Sequence, residues 1–133
     1  MEYLLGIDIG TSGTKTVLFD RDANPITAKT FEYPLYQEQN GWAEQEPQDW
    51  YRAVISTLKK TVSAVCPADI RGIGISGQMH SLVMLDKDNE IIRPAILWCD
   101  QRTAKECDEI TQRVGAERLI EITANPALTG FTA

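Results

Sequence analysis

A carboxylate, glycines, hydroxyl side chains and a lysine fall within one short stretch, Asp8-Ile9-Gly10-Thr11-Ser12-Gly13-Thr14-Lys15. Asp8 stands in a run, Tyr3-Leu4-Leu5-Gly6-Ile7-Asp8-Ile9, that is otherwise apolar or glycine. Burying an unpaired carboxylate there would raise its pKa or destabilise the fold, so Asp8 requires a cation, a set of donors or open solvent. Glycines let backbone N–H groups approach an anion unobstructed by Cβ, and Thr and Ser hydroxyls add donors. A carboxylate beside such a turn suits a magnesium nucleotide, with the metal held through Asp8 and phosphate oxygens held by the turn. A plain hairpin explains Gly10 and Gly13 but leaves Asp8 without a role. The spacing is not that of a P-loop, which ends in Gly-Lys-Ser/Thr after four intervening residues. Nor is it a dinucleotide fingerprint, since Gly10-Thr11-Ser12-Gly13 leads into a second strand and not a helix.

The elements that must present this turn follow from the pattern. Tyr3 to Ile9, Thr14 to Asp20 and Ile26 to Tyr33 read as three strands joined by tight turns, the second turn being Arg21-Asp22-Ala23-Asn24-Pro25; an antiparallel meander is expected. Pro34 to Glu46 is polar, carries Gly41-Trp42 and reads as loop. Pro47 suits the first position of a helix, and Trp50, Tyr51, Val54, Ile55, Leu58, Val62 and Val65 form an amphipathic stripe that stops at Cys66-Pro67. Ile70 to Ser76 is a further strand, closed by Gly77. Leu82 to Asp86 and Ile91 to Trp98 read as strands flanking Lys87-Asp88-Asn89-Glu90. A polar-faced helix is expected from Asp100 towards Val114-Gly115, and a shorter one over 117–122 before Asn125-Pro126. This order places the chain in the α/β class with a mixed sheet. Val17 to Asn24 is echoed by Val83 to Asn89 with one residue dropped, which fits either shared turn chemistry or an internal repeat.

Composition narrows the functions. The chain has 133 residues, 43% apolar and 24% charged, enough for one hydrophobic core and unlike a disordered chain. Its 13 basic and 19 acidic side chains give a net charge of −6, which argues against a nucleic-acid groove or an anionic membrane surface. The start, Met1-Glu2-Tyr3, lacks the basic segment of a signal peptide, and no apolar run is long enough to span a bilayer. Cys66, Cys99 and Cys107 contain no CxxC pair and His80 is the single histidine, so neither zinc nor a disulfide framework is expected. Three free thiols fit the reducing cytoplasm.

Gly6 to Lys15 resembles the first phosphate motif of the actin, hsp70 and sugar kinase superfamily, whose sheet is ribonuclease-H-like. Ile75-Ser76-Gly77-Gln78-Met79-His80, Arg93-Pro94-Ala95-Ile96-Leu97-Trp98-Cys99-Asp100-Gln101-Arg102-Thr103 and Thr129-Gly130-Phe131-Thr132-Ala133 are similar to the N-terminal domain of FGGY carbohydrate kinases. The match runs from Tyr3 to Ala133. It implies a mixed sheet with flanking helices and an ATP-dependent, Mg²⁺-dependent phosphotransferase. Asp8 would hold the metal or a metal-bound water. Thr11, Ser12, Gly13 and Lys15 would attend the phosphates, and Gln78, Met79, His80, Trp98, Asp100 and Arg102 would face the sugar. Read on their own, Met79 and Trp98 could equally be core and His80 a turn histidine.

Gln78 and the Gly-Phe-Thr-Ala ending favour the branch of the family that converts D-xylulose to D-xylulose 5-phosphate. Ser81, where that branch usually has Gly, and Cys99, where Asn is common, leave gluconate or another polyol open. A non-catalytic sugar- or nucleotide-binding module of the same fold is the reading from another class. The resemblance places the general base, an Asp, well beyond residue 133, where the adenosine motif and a second domain that closes over the sugar also lie. Residues 1–133 are therefore expected to be a kinase's N-terminal domain, inactive alone and open to self-association around Leu119-Ile120 and Phe131.

Overall fold

The computed structural model describes residues 2–131, so Thr132 and Ala133 of the Gly-Phe-Thr-Ala ending lie outside the described residues. The elements run β1 (Tyr3–Ile9), β2 (Gly13–Asp20), β3 (Pro25–Glu32), β4 (Glu44–Gln45), α1 (Pro47–Val62), β5 (Ile70–Gly77), β6 (Ala95–Ile96), α2 (Ala104–Val114) and α3 (Ala116–Thr123). They group into two compact units, where length alone suggests one core. The first takes residues up to Pro34 together with Pro47–Gln78, and the second takes Leu35–Glu46 and the residues from Met79 on.

In the first unit the expected meander forms and gains a parallel neighbour, giving the mixed sheet β3-β2-β1-β5. β1 runs antiparallel to β2, with Asp8 opposite Lys15, and parallel to β5, with Asp8 opposite Ser76. Strand alternation sorts the side chains. Leu5 and Ile7 of β1 and Thr14, Thr16 and Leu18 of β2 are buried, whereas Gly6, Asp8, Lys15, Val17 and Phe19 line the opposite face.

α1 starts at Pro47 as expected, yet the residues it buries are Ala53, Thr57 and Thr61. The larger apolar residues Val54, Ile55, Leu58 and Val62 are only half-buried, and Tyr51 is exposed. Small side chains one turn apart let the helix approach the sheet closely, and their hydroxyls need partners. Thr57 gives its single proton to the Ala53 carbonyl (2.8 Å), so Thr16 donates the 2.7 Å bond between the two hydroxyls. A hydropathy stripe weighs burial by apolarity and does not register this contact.

In the second unit β4 pairs antiparallel with β6. The expected strands Leu82 to Asp86 and Ile91 to Trp98 are corrected to isolated bridges, Leu85 with Ile91 and Leu82 with Ile96, with only Ala95–Ile96 in a regular strand. Pro94 offers no N–H to extend a ladder, and Leu82, Val83, Leu85 and Ile92 are exposed, so no covered face rewards regular pairing. The helix expected from Asp100 starts instead at Ala104, because the Asp100 carboxylate accepts the Arg102 N–H at 2.9 Å and holds that stretch as a turn.

The sequence echo is turn chemistry, with no residue dropped. Asp20 Oδ1 accepts the N–H groups of Asp22 and Asn24, both at 2.9 Å. Asp86 Oδ1 accepts those of Asp88 and Glu90 at 2.8 and 2.9 Å. Ala23 (φ 63°) and Asn89 (φ 65°) occupy the same left-handed position.

Candidate functional site

The first unit carries Asp8, Lys15 and the Gly10–Gly13 turn. Asp8 and Lys15 are exposed, and with Gly6, Val17, Phe19, Gly74 and Ser76 they line an open depression of about 460 Å³ on the sheet face away from α1. Asp8 is thus not tied up inside the core. The turn closes through Gly10 N–H to the Gly13 carbonyl at 3.0 Å. Gly13 has a packing reason as well, since a Cβ there would stand 2.7 Å from the Phe31 carbonyl oxygen on β3. Thr11 Oγ1 donates to Gln78 Oε1 at 3.3 Å, and the Gln78 N–H donates to the Ile9 carbonyl at 2.9 Å. Gln78, expected to face sugar, is thus bonded to the Gly10–Gly13 turn through Thr11 and to the end of β1 through Ile9. Ser12 is exposed at its tip.

Among the described residues no group of three or more His, Cys, Asp or Glu could hold a metal ion. A lone carboxylate still fits Mg²⁺, which keeps several waters and takes one or two carboxylates plus substrate phosphates. A dedicated all-protein cage is not what this ion requires.

The second unit carries the other expected residues. Met79 is 51% exposed. His80 is exposed and holds a left-handed backbone, φ 58°, which is strained for a residue with a Cβ. Its ring meets Phe131, with centroids 4.2 Å apart and planes tilted by 52°. Gly130 (φ 64°) backs onto the Trp98 carbonyl, and a Cβ there would collide with that oxygen. The sequence offered Gly130-Phe131 as a family marker and Phe131 as a site of self-association; here Phe131 packs on His80 and Gly130 backs onto Trp98.

Asp100 and Arg102 come together, but inward. Asp100 is 1% exposed, and its carboxylate accepts the Ala43 N–H (2.7 Å), the Arg102 N–H (2.9 Å) and Arg102 Nε and Nη2 (2.9 and 2.7 Å). Burial pushes the Asp100 carboxyl up, but the bonds from Arg102 and Ala43 outweigh it and hold the group below the ordinary carboxylate range. The bond to Asp100, against a smaller desolvation cost, raises Arg102 in turn. The Arg102 guanidinium lies 3.8 Å over the Trp42 ring and also pairs with Glu44 (2.7 Å), to which Arg93 is bonded too. These bonds hold the Trp98–Arg102 turn, and a sugar reaching the Asp100 carboxylate would have to displace them. No site role was expected for Trp42, Glu44 or Arg93, because the first two fall in a polar loop and Arg93 stands before a proline, with no local signal of pairing.

Residues 3–133 match the model of the FGGY family of carbohydrate kinases, N-terminal domain. The xylulose kinase of Bacillus subtilis is 45% identical over 99% of this chain and 27% of its own length, and that of Lactococcus lactis 48% identical over 99% and 26%. The crystal structure of a xyloylose kinase from Brucella ovis superposes with a TM-score of 0.87 at 36% identity, covering 98% of this chain and 27% of that one. The chain spans about a quarter of the length of these curated relatives. With the Gly10–Gly13 turn, the His80 segment and the Trp98–Arg102 turn all within the matched range, the chain belongs to the FGGY family of carbohydrate kinases, as its N-terminal domain.

Proposed function

We propose that the protein carrying this domain is an ATP-dependent kinase that phosphorylates D-xylulose to D-xylulose 5-phosphate. The carrying observation is Asp8, exposed beside Lys15 on an open depression and next to the Gly10–Gly13 turn. Asp8 would hold Mg²⁺ through a direct or water-mediated bond. Thr11, Ser12, Gly13 and Lys15 would meet the phosphates, and Met79, His80 and Trp98 would meet the sugar, with Gln78 braced between the two tasks. Asp100 and Arg102 would fix the turn that presents Trp98. The xylulose kinases of Bacillus subtilis and Lactococcus lactis support the choice of sugar. Phosphoryl transfer is mostly positioning plus charge neutralisation, so the general base and adenosine site would come from further chain and this domain alone would not turn over. The cytoplasm suits its three free thiols.

The test is ADP release by the full-length protein with ATP, Mg²⁺ and either D-xylulose or gluconate. Turnover with D-xylulose, lost in Asp8→Asn, supports the reading. Turnover with gluconate alone, or with neither sugar, overturns it.

A further inference from the structure

We infer that Tyr33, directly after β3, is the positioning residue of the phosphate turn, acting through a hydroxyl clamp on Gly10. The inference rests on the reading of Gly10–Gly13 as the phosphate-holding turn and adds a residue from outside the motif. Tyr33 is 7% exposed. Its hydroxyl donates to the Gly10 carbonyl at 2.5 Å and accepts from Thr14 Oγ1 at 3.5 Å, while its N–H donates to the Ser12 carbonyl at 3.4 Å. One side chain and its own backbone therefore touch the turn at its start, its tip and the residue just past its end.

A glycine-hinged turn needs such a clamp. Gly10 and Gly13 allow the peptide planes between them to rotate with little steric cost. A trans peptide points its C=O and the next N–H in opposite directions. Holding the Gly10 carbonyl towards the Tyr33 hydroxyl fixes the direction of the Thr11 N–H, and holding the Ser12 carbonyl fixes that of the Gly13 N–H. Donors aimed before the ligand arrives cost no reorganisation on binding. Burial, and the negative charge of Asp8, push the Tyr33 phenol above its ordinary pKa despite the Thr14 bond, so the hydroxyl keeps its proton and stays a donor.

The decisive variant is Tyr33→Phe, which keeps the ring and removes the clamp. In the full-length protein, Mg·ADP affinity is measured by calorimetry without sugar, alongside the KM values for ATP and sugar and the melting temperature. The expected result is nucleotide binding weaker by about three- to tenfold, the factor one neutral hydrogen bond supplies, with the sugar KM unchanged. Thr14→Val, which leaves the Tyr33 hydroxyl on Gly10, should retain most of the affinity. Unchanged Mg·ADP affinity in Tyr33→Phe, with or without a lower melting temperature, overturns the clamp. A wild type that binds Mg·ADP but phosphorylates no sugar overturns the proposed function while the clamp is still decided by the variant. A wild type that binds no nucleotide overturns both.

Discussion

Replacing Asp100 by Asn removes one negative charge from a carboxylate whose hydrogen-bond partners, Ala43 and Arg102, are donors. Asp100 holds the Ala43 N–H, the Arg102 N–H and two guanidinium nitrogens of Arg102. An amide can still accept from Ala43, but its NH2 must face the guanidinium, and Arg102 keeps only Glu44 as counter-charge. Removing one partner of a buried pair costs about 3–5 kcal/mol. Arg102 is 14% exposed at its side chain and keeps Glu44, so the loss belongs at the lower end, about 3 kcal/mol at pH 7. Urea unfolding gives the total, and hydrogen exchange at the Ala43 amide localises it to the second unit. The pH dependence carries a sign. Asp100 is depressed in the folded chain, so its contribution is complete above the unfolded carboxylate value of about 4 and is lost as pH falls through the folded value. Wild type and variant should therefore converge in acid. A difference below about 0.5 kcal/mol at pH 7, the range of ordinary surface substitutions, or a gap constant from pH 7 to below pH 3, would refute the argument.

Thr57→Val should cost about 1–2 kcal/mol by leaving the Thr16 hydroxyl without its acceptor, whereas Thr16→Val with Thr57→Val should be less destabilised than the sum of the single variants; a double-mutant cycle in urea checks this. Ala23→Gly should stabilise by about 1 kcal/mol, because it relieves a left-handed alanine at the position Asn89 fills in the matching turn, and is read as a raised melting temperature. Phe131→Ala should raise the sugar KM of the full-length protein by about two- to tenfold, the factor an aromatic pair supplies, and leave the ATP KM unchanged; steady-state kinetics separate the two.

How much was legible in the sequence depended on how local each cause was. The meander, the Pro47 helix start and the exposed Asp8 follow from alternation, fixed φ and the cost of a buried carboxylate, all readable within a few residues. The parallel pairing of β1 with β5 was expected only as a mixed sheet, since the register is set across the whole of α1. The Ala53–Thr57–Thr61 contact and the Glu44–Arg102–Asp100 network were not legible, because both are polar or small-residue contacts fixed by tertiary approach. Asp100 was selected by its family motif, which marks that the residue matters without saying which way its side chain points.

In the proposed function Asp8 and the Gly10–Gly13 turn together receive a metal-bound triphosphate. Mn²⁺ in place of Mg²⁺ tests it directly, through paramagnetic broadening of backbone amide signals when Mn·ATP is titrated into the full-length protein. Broadening centred on residues 8–15, with Gly74 and Ser76 beside them and all of it lost in Asp8→Asn, is the predicted result. Broadening centred elsewhere, or unchanged when Asp8 loses its charge, would contradict the account.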